Sequence, residues 1–112
     1  MSTANLTISH LSTEYVIIPL NATVNGQIHD PTGDLLQFAF LSNQSASPGN
    51  TDWVVGIWGT NSNSSLYPFL AECLVGPAGG VINLGTGVYV IWIKITDNPE
   101  IPVIPACRLR IC

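Results

Sequence analysis

The sequence predicts an all-β domain: an immunoglobulin-like β-sandwich of roughly seven or eight short antiparallel strands, with a small β-barrel as the alternative. Three observations carry that prediction. Apolar residues recur at period two in several short runs. No window sustains helical i, i+3, i+4, i+7 spacing, and 10 Gly with 8 Pro interrupt the chain throughout. The length, 112 residues, suits one core, so residues 1–112 are read as a single domain.

The elements follow in order. In Asn5-Leu-Thr-Ile-Ser-His10, Leu6 and Ile8 share one face, and Val16, Ile18 and Leu20 form a second inward set. Asp30-Pro-Thr-Gly-Asp34 is a turn cluster, after which Leu36, Phe38 and Phe40 point inward with Gln37 and Ala39 opposite. Polar loops within the domain are expected over Ser42–Thr51, which contains the Ser47-Pro-Gly-Asn50 turn, and over Thr60–Ser65. Trp53 and Trp58 are expected on opposite faces of a strand between those loops, and Ala71-Glu-Cys-Leu-Val75 forms another ahead of Gly76-Pro-Ala-Gly-Gly80. Beyond the Asn83-Leu-Gly-Thr-Gly87 turn, Gly87–Thr96 reads as the central strand. Tyr89, Ile91, Ile93 and Ile95 are its inward row, and Trp92 and Lys94 lie on the other face. Asp97-Asn-Pro-Glu100 turns the chain into a hairpin partner in which Val103, Cys107, Leu109 and Ile111 face inward and Arg108 and Arg110 outward. Pro102 and Pro105 mark its irregular or edge portion.

Charge narrows the function classes. Only 9% of residues are charged, and Ser, Thr and Asn together number 27, so the exterior is neutral and hydrogen-bonding. Lys94, Arg108 and Arg110 are the sole Lys or Arg, and the net charge is −4, which excludes the basic patch that nucleic-acid binding needs. No apolar run is long enough to span a bilayer, and Met1-Ser-Thr-Ala-Asn5 lacks the basic and apolar regions of a secretory signal, so intracellular synthesis is expected. On that expectation the sequons at Asn5, Asn21, Asn43 and Asn63 are products of composition. Cys73, Cys107 and Cys112 fit neither zinc spacing nor a secreted disulfide framework and are read as reduced, a Cys73–Cys107 bridge between neighbouring strands being the alternative.

Catalytic constellations are not supported by the pattern. His10 and His29 are the only imidazoles, and neither lies one hydrogen-bonding step from an obvious nucleophile in sequence, so a triad is unsupported. His29, Asp30 and Asp34 could gather oxygens round a metal, but calcium-loop spacing is missing and turn capping accounts for both aspartates. Gly76, Gly79 and Gly80 precede no Lys-Ser/Thr and open no helix, so they are turn glycines. Glu14, Glu72 and Glu100 belong to separate elements, and the cysteines lack an activating cation or imidazole. No cofactor is expected, and the chain is read as a non-enzyme. The unusual feature is apolar bulk on the second face of strands. Trp92 opposes the inward row of its own strand and Ile17 alternates with Val16 and Ile18, so both are assigned to partner docking, with Arg108 and Arg110 offering carboxylate pairing. Trp92 lying beneath a loop of its own domain is the competing assignment. Trp53, Trp58 and Tyr67 would supply the platform of a carbohydrate or host-surface binding module.

Three blocks carry a family resemblance: Leu11-Ser-Thr-Glu-Tyr-Val-Ile-Ile-Pro-Leu20, Leu74-Val-Gly-Pro-Ala-Gly-Gly80 and Leu84 through Val103. Together they resemble small virion proteins encoded among the head genes of tailed bacteriophages of actinobacteria. The blocks are strand and turn signatures and contain no catalytic motif. This chain departs from the resemblance in carrying Ile17 and Ile91 where such proteins more often carry charges. The resemblance implies a structural virion protein made in the host cytoplasm, a capsid decoration or minor capsid protein. Its implied partners are the major capsid protein and neighbouring copies of itself. A head-to-tail connector or tail component is the next reading.

Overall fold

Every long alternating run of the sequence becomes a strand in the computed structural model, which describes residues 5–20, 23–24, 27–28, 34–43, 45–60, 69–96 and 101–112. The strands are β1 (Asn5–Ile8), β2 (Glu14–Leu20), β3 (Thr23–Val24), β4 (Gln27–Ile28), β5 (Leu35–Leu41), β6 (Val54–Val55), β7 (Ile57–Thr60), β8 (Phe69–Val75), β9 (Gly87–Thr96) and β10 (Val103–Ile111). There is no helix among the described residues. One sheet runs β1-β10-β9-β5-β6, the other β2-β8-β7, and β3 pairs with β4 alone. This is the immunoglobulin order, with the B, E and D strands in one layer and G, F, C and C′ in the other. No ladder joins the two layers among the described residues, which argues against the barrel alternative.

The core lies between the layers. Across β5 and β9, Phe38 stands opposite Ile93 and Phe40 opposite Ile91. Val16, Ile18, Leu20, Ala71, Cys73 and Val75 are the buried residues of the facing sheet. Ile91 and Ile93 are 0% exposed, so Ile91 is a core residue despite the charge the resemblance would set there. Each such aliphatic side chain contributes about 1.5–3 kcal/mol by leaving water. Tyr89, at the start of β9, donates its hydroxyl to the Gly85 carbonyl at 2.8 Å. That is the tyrosine corner of immunoglobulin-type sandwiches, and it fastens the β8–β9 connection to the strand it feeds.

Four expectations change. The strands are not all antiparallel: β1 runs parallel to β10, Leu6 beside Leu109 and Ile8 beside Ile111. The two chain ends lock together there, because Cys112 N–H donates to the Ile8 carbonyl at 3.0 Å and His10 N–H to Cys112 O at 2.8 Å. β10 is consequently an interior strand, and only its Pro105 segment lies beyond the reach of β1. A register shift between Pro105 and Cys107 adds one residue, Ala106, to the strand. The bulge keeps Cys107, Leu109 and Ile111 inward but turns Val103 out and brings Ile104 opposite Ile93.

The fourth change concerns Trp53 to Trp58, which do not share a strand. The chain leaves the five-stranded sheet after β6 and enters the three-stranded sheet at β7, crossing at Gly56. A Cβ at Gly56 would stand 2.6 Å from the Phe38 ring and 2.9 Å from the Glu72 carbonyl, so only glycine threads this gap between the layers. Gly56 N–H donates to the Leu36 carbonyl at 2.9 Å, which satisfies the backbone at the crossing.

Candidate functional site

Strand parity decides what each sheet shows to solvent. On the outward face of the five-stranded sheet, cross-strand rows place Arg110 beside Val88 and Thr7, Arg108 beside Val90, Pro105 and Ala39 on either side of Trp92, and Val103 and Gln37 on either side of Lys94. Arg108 and Arg110 are exposed. With Leu6, Thr7 and Val88 they line a shallow groove of about 320 Å³. Leu35, Val55, Val88 and Val103 are exposed apolar residues on the same sheet. Lys94 holds its Nζ 4.6 Å above the Trp53 ring, a cation–π contact that ties the β6 end of the face to β9.

Trp92 is half-buried rather than exposed. Its indole Nε1 is buried and has no acceptor among the described residues. Its cross-strand neighbour Ala39 is fully buried although it belongs to the outward row of β5. Trp92 therefore presents only part of its ring, and the exposed apolar area comes more from the valines around it than sequence parity suggested.

Ile17 lies elsewhere. It is on the outward face of the three-stranded sheet, in one row with Glu72 of β8 and Ile57 of β7. Ile17, Ile57 and Tyr15 are 44%, 51% and 48% exposed, and the Glu72 side chain reaches from the row it shares with Ile17 and Ile57 to lie over Gly59. The structure thus unites Trp92, Arg108 and Arg110 on one face and puts Ile17 on the opposite side of the sandwich. Sequence reasoning missed Ile57 and Glu72 as its companions, and the signal was available only through the pairing of β2, β8 and β7.

Other candidates resolve into structural roles. Trp58 packs against the core and donates its Nε1–H to the Asp34 carbonyl at 3.0 Å. It cannot join Trp53 in a sugar platform, because the two rings belong to different layers. Tyr67 lies outside the described residues, as do His29, Asp30 and Glu100. His10 Nδ1 donates to Cys112 O at 2.8 Å, a bond that latches β1 to the chain end. Cys73 and Cys107 are on strands of different sheets, so the neighbouring-strand bridge has no basis and all three thiols are free. Burial pushes the Cys73 thiol up to about 11 and raises that of Cys107, the opposite of what a nucleophile needs. No group of His, Cys, Asp or Glu suited to a metal occurs among the described residues.

The described surface thus offers contact faces and no convergent set of activated polar groups. Compared with protein-family models, with curated proteins and with solved structures, the chain matches none.

Proposed function

We propose that the protein is a structural component of a tailed-bacteriophage virion, a capsid decoration or minor capsid protein. It is held in the particle by contacts between its outward sheet faces and the major capsid protein or neighbouring copies. The observation that carries this reading is the outward face of the five-stranded sheet. There Val88 stands beside Arg110, the partly exposed Trp92 and the exposed Val103 continue the apolar surface along the face, and both arginines are exposed. Aromatic and arginine anchors amid apolar surface are the usual chemistry of a binding face. The resemblance of the Leu11–Leu20, Leu74–Gly80 and Leu84–Val103 blocks to phage head proteins supplies the virion context. A role in the head-to-tail connector or tail would use the same face against a different neighbour.

A sparse-charge exterior supports this reading. Weak repulsion between copies lets apolar contacts, repeated many times over a shell, supply the association energy. The test is co-sedimentation of the purified chain with particles assembled without it. Saturable binding is the expected result. Absence of binding to particles, together with selective retention on a glycan array, would replace this reading by a carbohydrate-binding one.

A further inference from the structure

The charges of this chain are sorted between its two layers. The strands of the five-stranded sheet carry Lys94, Arg108 and Arg110, every Lys and Arg in the sequence, and no Asp or Glu. The strands of the three-stranded sheet carry Glu14 and Glu72 and no cation. Asp34 and Asp52 stand outside the strands, and the remaining acids lie outside the described residues. Apolar side chains flank the charge on both outward faces: Val88 beside the arginines, and Ile17 with Ile57 beside Glu72. Resting on the assembly reading above, we infer that the five-stranded face of one copy seats the three-stranded face of the next, head to tail, with Arg108 and Arg110 against Glu72.

Electrostatics selects this arrangement over the symmetric ones. Two five-stranded faces brought together would bring only positive charge to the contact, and two three-stranded faces only the Glu72 carboxylates, so neither symmetric pairing gains an opposite charge. Like charges gathered in an interface repel and disfavour that pairing. Only the pairing of unlike faces matches opposite charge and apolar surface at once. The molecule measures 41 × 31 × 25 Å along its principal axes, so a broad face has room for the roughly 800 Å² that each partner of a standard interface covers. Such a contact is heterologous: each copy offers a donor face and an acceptor face, and the result is a ring or an open row.

Sedimentation of the full-length chain at low ionic strength tests this directly. The wild type should associate with rising concentration, and added salt should weaken it, since exposed ion pairs are screened. Arg108→Glu combined with Arg110→Glu should be monomeric, and so should Glu72→Lys, each losing about tenfold or more in association. An equimolar mixture of the two should associate again, because each then meets its complement. Ile17→Lys, an exposed change on the same face as Glu72, gives the answer should Glu72→Lys fail to fold. A wild-type chain that stays monomeric up to millimolar concentration overturns the proposal. So does wild-type association by Glu72→Lys or Ile17→Lys, which would assign the contact to two like faces, and so does a mixture that remains monomeric. The particle experiment reads a different quantity: incorporation by a chain that never self-associates sinks this inference and leaves the virion reading standing. Self-association without any binding to particles does the reverse.

Discussion

Trp92 of β9 is the direct cross-strand partner of Ala39 of β5, and the alanine is fully buried on a face that parity directs outward. A small residue opposite a large indole lets the ring lie down on the sheet, which accounts for Trp92 being half-buried. The cost is an indole N–H removed from water without an acceptor. Trp92→Phe deletes that donor and should leave stability unchanged or raise it by up to about 1 kcal/mol. Trp92→Ser should lower it by about 1–3 kcal/mol while the domain remains folded. Chemical denaturation of both variants checks the pair, and an unfolded Trp92→Ser would place the indole in the core.

Neighbouring residues on β9 should differ sharply. Ile93 is fully buried opposite Phe38, and Ile93→Ala should cost about 2–5 kcal/mol. Lys94 contributes its contact with Trp53, and Lys94→Ala should cost about 0.5–1 kcal/mol. Equal losses in urea melts would mean that the strand is out of register by one residue.

The layer crossing and the tyrosine corner can be probed separately. Gly56→Ala forces a methyl group against Phe38 and the Glu72 carbonyl and should destabilise by about 1–3 kcal/mol. Tyr89→Phe removes one hydrogen bond to Gly85 and should cost about 1 kcal/mol. Thermal melts of both variants measure these costs, and a neutral Gly56→Ala would contradict the tight passage between the sheets.

Thiol reactivity should rank the cysteines. Cys112 is exposed, Cys107 half-buried and Cys73 buried, so a thiol reagent should modify them in that order, with Cys73 protected until the chain unfolds. The Cys73 thiol titrates near 11 in the fold against 9.0 for the unperturbed group, so between those values the unfolded chain gives up its proton first. Stability should therefore fall as pH rises from about 9 towards 11, the slope set by the proton that the native state retains. Replacing Cys73 with Ala should flatten that slope in pH-dependent melts, and an unchanged slope would assign it to other groups.

Much of this architecture is legible in the sequence because period two is a local signal. The inward sets of β2, β5 and β9 follow directly from alternation, and so does the shared face of Trp92, Arg108 and Arg110. Alternation alone puts Val103 inward, because the bulge at Ala106 adds a residue without any break in the apolar pattern. The one-residue crossing at Gly56 leaves no turn cluster behind it, so Trp53 to Trp58 read as one strand in the sequence. Pairing of β1 with β10 joins residues about a hundred positions apart, and the segregation of Ile17 and Glu72 from the arginines depends on which strands share a sheet. Neither relationship leaves a trace in a local window.

The outward face of the five-stranded sheet is the surface proposed to hold this protein in a particle. The most direct measurement is the occupancy of the Trp92→Ser, Arg108→Glu, Arg110→Glu variant on particles assembled in its presence, alongside a melt showing that it is folded. Loss of incorporation by a folded variant is the predicted result. Occupancy equal to that of the wild-type chain would contradict it and remove this face from the assembly.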